Sequence, residues 1–441
     1  MSNTSSLNVL PEGNAPSTDT GQGIDRDYPL VPVPASDRRS MSSLLILLFG
    51  FIFFGPTMIA GGQIAVNFAF GEFLLWAGVA VCVLAAYISA LAVISARTGL
   101  STVLLCRRLL GVAGGKWAGI VLGGTQVGWY GVTIAVLGNL LGQALGLDQV
   151  WPIVVVFGVL MGASAYFGYR GLEILSWISV PLMLVLCVWV TNRALDETGG
   201  WSALMQAGGD TTISVGAALT IMIGTFISGG TQVGNWSRFA RSGRAALLAT
   251  AGAVLSCQSL MLFFGGIGAS AYGEPDFAVV LIQMGLLGVG LALLVVNLWT
   301  TNDNAAYAFG VAGAELFRVG NKRPFIVIGV ILGIIIAVTG IYESLETFLV
   351  VLGVVIPPLG GALIGQYFLV HKASLPDEDA NPPLRWGCFA AYLLGTLAAV
   401  LGTTFDLGVP AVQGIVVAIA AAPAAAWVSS AFGAKRLPER V

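Results

Sequence analysis

The sequence has 441 residues, 56% of them hydrophobic and only 10% charged, with a mean hydropathy of +0.88. That composition rules out a soluble globular enzyme as the default and describes an integral membrane protein. The formal net charge is -2 and there is no basic block, which argues against nucleic acid as a partner.

The apolar runs approach the roughly 20 residues that carry a helix across a hydrocarbon core, and the short alternating segments of a barrel are missing. The expected class is therefore all-α and polytopic. His371 is the only histidine and cannot build a metal site alone. Cys82, Cys106, Cys187, Cys257 and Cys388 lie in or beside apolar runs without paired spacing, so they read as lipid-buried thiols. With no catalytic histidine, cysteine pair or carboxylate dyad, neither an enzyme nor a bound cofactor is expected.

In chain order, residues 1–40 are rich in Ser, Pro, Gly and Asp and lack an apolar core, which predicts a disordered cytosolic tail and not a cleaved signal. About twelve membrane spans follow, centred in 43–66, 74–96, 118–140, 150–166, 174–190, 215–236, 246–269, 286–309, 324–341, 345–370, 386–404 and 409–430. With the amino terminus inside, every Lys and Arg except Arg193 falls on the cytosolic side. The opposite loops carry acids such as Glu72, Asp148, Glu197, Glu274 and Asp406. This asymmetry predicts a multi-pass protein of the cytoplasmic membrane with both termini, including 433–441, in the cytosol.

The first span contains Gly50, Gly55, Pro56, Gly61 and Gly62, and the sixth contains Gly224, Gly229, Gly230 and Gly234. Five spans apart, they cross in opposite senses, as expected of a five-span repeat in inverted topology with discontinuous helices 1 and 6. Small residues also allow close helix packing. Aromatic and hydroxyl residues flanking both clusters favour the broken-helix reading.

In the third span Gln126 and Trp129 are three apart and share a face. The glutamine amide can match the polar edge of a flat heterocycle, and Trp129, Phe54 and Phe226 offer rings for stacking. The eighth span closes on Asn297, Trp299, Thr300, Thr301, Asn302, Asp303 and Asn304, a density of polar groups that hydrocarbon disfavours. Helical spacing puts Asn297, Thr300, Thr301 and Asn304 on one face, with Trp299 and Asp303 on another. Two hydroxyls, an oxygen of Asn297 and carbonyls of a broken first span near Gly50 and Phe53 would suit sodium. Threonines bonding back to their own helix are the alternative. Asn297, Thr300 and Thr301 are expected to form an ion-and-substrate hinge, and Asn302 to Asn304 to serve gating or packing. Arg238, Arg241 and Arg244 read as topology determinants, one of which Asp303 could neutralise. Pro357 and Pro358 predict a bend in the tenth span.

Three motifs, at 122–131, 224–231 and 297–305, resemble the purine-cytosine permease type of the nucleobase-cation symporter family, and the similarity runs from about residue 43 to 426. The resemblance implies a leucine-transporter-type fold. Its ten-helix core would occupy 41–372, as inverted repeats of about 43–192 and 214–372, followed by two additional helices in 373–432. It implies a substrate site of Phe54, Gln126, Trp129, Phe226, Ser228 and Asn297, and a sodium site of Gly50, Phe53, Asn297, Thr300 and Thr301. The function implied is import of cytosine or a close nucleobase with sodium, by alternating access, through a monomer in the lipid bilayer. Gly55, Pro56 and Thr57 in the first span, and Asn235 at the end of the sixth, depart from the residues usual in that family. A proton-coupled carrier for another purine, a hydantoin or a small amide-like substrate is the alternative. A channel would need a continuous polar file, which is not apparent.

Overall fold

The computed structural model describes residues 27–166, 169–209, 213–275, 277–340, 344–376 and 382–434. The predicted tails over 1–26 and 435–441 lie outside these. In chain order the helices are α1 (Met41–Ile52), α2 (Gly55–Ala65), α3 (Phe70–Thr98), α4 (Thr102–Leu145), α5 (Trp151–Ala165) and α6 (Tyr169–Thr198). Then come α7 (Trp201–Leu204), α8 (Val215–Thr231), α9 (Gly234–Ser237), α10 (Gly243–Ala253), α11 (Ser259–Tyr272) and α12 (Phe277–Gln283). The last are α13 (Leu287–Phe317), α14 (Arg323–Val338), α15 (Leu345–Ile364), α16 (Trp386–Thr404) and α17 (Pro410–Ala434). Among the described residues the only strand-like pairing is an isolated bridge between Arg39 and Ala240.

Among the described residues eight helical stretches are long and apolar enough to cross a membrane, and α1 with α2 forms a ninth, bent by 52°. The shorter apolar helices α5 and α14, together with the long α13, occupy the places of the other predicted spans. The molecule is thus an all-helical, multi-pass membrane protein.

The first break follows from local chemistry. A proline inside a helix clashes with the carbonyl four residues back, and for Pro56 that is the carbonyl of Ile52, where α1 stops. Phe53 leaves the helix with ψ 80°, Phe54 is extended, and α2 restarts with Pro56 in its first turn, where a missing N–H costs nothing. Thr57 N then bonds to Phe54 O, so the helix does not claim the Phe53 carbonyl.

The sixth span breaks elsewhere. α8 runs through Gly224, Gly229 and Gly230 to Thr231 and gives way at Gln232 and Val233 before the single turn α9. The three glycines provide close packing instead. A Cβ on Gly224 would lie 2.6 Å from Leu349 O, on Gly229 2.8 Å from the Phe51 ring, and on Gly230 2.3 Å from Ile88. The tenth span also differs from a simple proline bend. α15 stays α-helical across Pro357 and Pro358 and then winds into π-helix over Gly365–Val370.

α2 rests on α11 through glycine contacts, and a Cβ on Gly265 would stand 1.8 Å from Met58 O. Overpacking of this kind costs about 1–3 kcal/mol or more. Gly265→Val is therefore expected to lower the melting temperature of the purified protein by several degrees; an unchanged value would mean that this contact is not tight. α16 and α17 pack on each other and on α15, at the periphery of the core.

Residues 27–39, which the sequence reading placed in a disordered tail, pack across one end of the bundle. Val33 N donates to Gly99 O, Arg38 Nη1 to Ala96 O and Arg39 N to Phe239 O. Lys322 Nζ pairs with Asp27 at 2.6 Å. The backbone N–H groups and the Arg38 guanidinium of this segment find carbonyls at helix ends, which need partners.

Candidate functional site

The Phe53 carbonyl freed by the break faces α13. Asn297 Nδ2 donates to it at 2.5 Å and Thr301 Oγ1 lies 3.2 Å away, also within 3.0 Å of Asn297 O. The i, i+4 spacing read from the sequence delivers both side chains to one point. Asn297 Oδ1 is buried and has no partner, an oxygen held in reserve beside a backbone carbonyl and a hydroxyl. Thr300 behaves differently. Its hydroxyl donates to Val296 O of its own helix at 2.9 Å, the back-bonding alternative. It still adjoins the break, because a Cβ on Gly50 would lie 2.9 Å from Thr300 Cγ2 and 2.1 Å from Ser176 Oγ. Ser176 of α6 was not singled out from the sequence, since a lone serine in an apolar run carries no signal. Among the described residues no group of three or more His, Cys, Asp or Glu could hold a metal ion. The donors at the break are neutral oxygens, which suit a hard cation and not a soft one.

Beside this point lies a small cavity walled by Phe51, Phe54, Gln126, Trp129, Phe226 and Thr301, with Thr133, Thr225, Gly229 and Ala305. About 270 Å³, open solvent at its mouth included, is free of protein atoms. The rings largely fill each other's space. Phe54 meets Trp129 edge to face at 4.7 Å between centroids, Phe51 meets Phe226 at 5.0 Å, and Phe348 of α15 backs Trp129 at 5.2 Å. A planar ring sandwiched between two others needs about 7 Å, twice the usual contact distance. Phe54 and Trp129 must therefore part before they can sandwich a ligand.

Gln126 and Trp129 converge as their spacing suggests, and Ser228 explains how. Trp129 Nε1 donates to Ser228 Oγ at 2.7 Å and Gln126 Nε2 approaches the same oxygen at 3.4 Å. Ser228 thus stands behind the wall and orients two of its members. Asn297 likewise acts through the break and does not line the cavity. Phe51, Thr133, Thr225, Gly229 and Ala305 were missed, because only the packed helices decide which face of each meets the gap.

Among the described residues Asp303 pairs with no arginine. It is hydrogen-bonded to Ser164 of α5, which also receives Trp299 Nε1 at 2.8 Å, so Trp299 and Asp303 do share a side, against α5. Asn302 Nδ2 faces Met161 Sδ, and Asn304 Nδ2 donates to Thr300 O at 2.8 Å. Arg238 is not an exposed topology marker. It is 0% exposed, donating to Asn235 O, to the carbonyls of Asp27 and Tyr28, and towards Tyr307 Oη at 3.4 Å. Lys322, 2% exposed, stands over the Tyr307 ring at 5.4 Å. Arg238, Lys322 and Tyr307 together hold the 27–39 segment over the end of α8, α9 and α13.

The family model for permeases for cytosine/purines, uracil, thiamine and allantoin matches residues 32–426. The cytosine permease of Escherichia coli (strain K12) is 35% identical over 379 residues, covering 85% of this chain and 89% of that protein. Mhp1, a nucleobase-cation-symport-1 family transporter solved in a closed conformation with bromovinylhydantoin bound, has a TM-score of 0.81 over 91% of this chain and 95% of its own, at 17% identity. A Na+-coupled sialic acid symporter in a substrate-bound outward-open state has a TM-score of 0.66 over 89% of this chain and 90% of its own, at 12% identity. The two structural likenesses establish the fold, which is the leucine-transporter type.

Proposed function

We propose that this chain, which belongs to the family of permeases for cytosine/purines, uracil, thiamine and allantoin, carries cytosine or a closely related nucleobase across the cytoplasmic membrane together with sodium, by alternating access. One observation carries the reading. Asn297 and Thr301 converge on the unclaimed Phe53 carbonyl at the wall of an aromatic cavity that contains Gln126.

In this reading sodium enters at the break. Phe53 O, Thr301 Oγ1 and the spare Asn297 Oδ1 would turn their lone pairs to it, with Gly50 and Thr300 beside them. Because Asn297 and Thr301 belong to α13 and Phe53 to the hinge between α1 and α2, the ion would tie the first span to the eighth. Phe54 moves with that hinge, so closure around the ion and closure of Phe54 and Trp129 on a flat ring become one event. Gln126, held by Ser228, would read the polar edge. A single chain holds every one of these residues, which supports a monomer as the working unit. The end covered by residues 27–39 would face the cytosol.

The driving force is adequate. One charge moving through about 100 mV yields roughly 2.3 kcal/mol and a tenfold ion gradient adds about 1.4, enough for accumulation on the order of a few hundredfold. The test is uptake of radiolabelled cytosine into vesicles holding the purified protein. Replacement of sodium by choline is expected to abolish accumulation. Undiminished uptake in choline that follows an imposed pH gradient would defeat sodium coupling and favour a proton-coupled carrier.

A further inference from the structure

The seventh span is not a plain α-helix. Between α10 and α11 it winds as π-helix over Val254–Gln258. Such turns are rare and frequently mark functional positions, because the extra residue re-aims the side chains that follow. Here the turn ends on Gln258, which is fully buried and donates from Nε2 to Thr225 Oγ1 at 2.7 Å. Its other amide atom, Oε1, is buried without a partner. An orphaned amide oxygen in a membrane interior is costly, so stability alone does not account for a glutamine there.

Thr225 is a wall residue of the aromatic cavity, next to Phe226. Its hydroxyl has one proton, and that proton goes to Met222 O at 2.7 Å. Gln258 occupies one of its lone pairs. The other two hydroxyls of the wall have likewise committed their protons, Thr133 to Trp129 O at 2.8 Å and Thr301 to Asn297 O or Phe53 O, at 3.0 and 3.2 Å. None of the three can donate to a ligand while these bonds stand. The hydroxyl side of the cavity therefore accepts hydrogen bonds and does not give them.

We propose that Gln258 is the positioning residue that sets this polarity. By pinning Thr225 from behind, it keeps the threonine proton on Met222 O. A ring carrying an N–H edge, such as an exocyclic amine, is then favoured over the same ring carrying a carbonyl there. Without Gln258 the hydroxyl is free to rotate and offer its proton to a ligand oxygen. The inference deepens the nucleobase reading and rests on it.

The experiment compares binding of cytosine and uracil to purified full-length protein in sodium, for the wild type, Gln258→Met, Thr225→Val and the double variant. Cytosine is expected to bind more tightly to the wild type. Gln258→Met should narrow the ratio by roughly threefold to tenfold, the worth of one hydrogen bond, chiefly through tighter uracil. In the Thr225→Val background the same change should leave the ratio where it is, because no hydroxyl remains to be released. Thr225→Ser, which keeps the hydroxyl and its bond to Gln258, should retain the wild-type ratio. Gln258→Leu serves in place of Gln258→Met if the latter does not fold. Equal weakening of both bases with a lowered melting temperature would make Gln258 a packing residue and overturn the proposal, as would additive effects in the double variant. A folded wild type that binds neither base would instead overturn the nucleobase reading itself.

Discussion

Thr301→Ala should weaken sodium-dependent cytosine binding by roughly tenfold to a hundredfold, the equivalent of losing one buried hydroxyl interaction worth about 1.5–3 kcal/mol. Thr301 is the one residue that both lines the cavity and touches the Phe53 carbonyl at the helix break. Its loss removes one of the proposed cation ligands and also leaves Phe53 O with Asn297 alone, loosening the hinge that carries Phe54. Isothermal binding at several sodium concentrations checks this. The apparent affinity should fall and its sodium dependence should shift to higher concentration. Asp303→Asn provides the contrast. Two residues further along α13, Asp303 is bonded to Ser164 and does not line the cavity. That variant should bind cytosine nearly as well while transporting it more slowly. Equal loss of binding in the two variants would remove the distinction between hinge and gate on α13.

Arg238→Ala should disable transport while leaving the substrate cavity intact. The guanidinium is the centre of the clasp at the covered end, bonded to two backbone carbonyls of the 27–39 segment and to the carbonyl of Asn235. Hydrogen bonds from a charged donor are worth about 1.5–3 kcal/mol each, so removing several at once should release the segment. Two measurements test it. Backbone amides of residues 27–39 should exchange hydrogen far faster, a local-opening signature, and uptake should fall at least about tenfold with cytosine affinity changed by no more than about twofold. Unaltered exchange in that segment would show that Arg238 does not hold it. Lys322 and Asp27 form a second tie across the same end, so some protection should survive until that pair is also broken.

The difference between these two residues also shows what can be read from a sequence. The placement of Thr301 beside the broken first span was legible. Hydrocarbon penalises polar side chains, so their density in α13 predicts that they face other helices and not lipid. Helical spacing placed Asn297 and Thr301 together, and Pro56 marked the place where the first span had to break. Gln126 and Trp129 were legible for the same reason. Arg238 was not. A cationic residue at a span end is normally a topology marker, and only the return of residues 27–28, more than 200 positions earlier, turns it into a buried clasp. The resemblance implies Ser228 as a substrate residue, and in the structure its hydroxyl receives Trp129 and Gln126 of α4. Thr300 was named as a cation ligand, and its hydroxyl turns back to Val296. The glycines of the sixth span signalled a break and proved to be close contacts with Leu349, Phe51 and Ile88, while the break itself falls at Gln232 and Val233.

The sequence by itself determined the solvent and the scale of the protein. Its apolar runs specify a membrane, their lengths specify helices, and intrahelical spacing specifies which polar residues share a face. All of these are local consequences of hydrogen-bond satisfaction in hydrocarbon. Which face meets which was decided only by the tertiary structure. The Phe53 carbonyl, the cavity wall around Thr133 and Thr225, the Gln258 prop behind it and the Arg238 clasp each join residues far apart in the chain. Such pairings depend on packing between helices. Lipid tails are as apolar as the helix surfaces, so hydropathy does not distinguish a face turned to lipid from one turned to another helix.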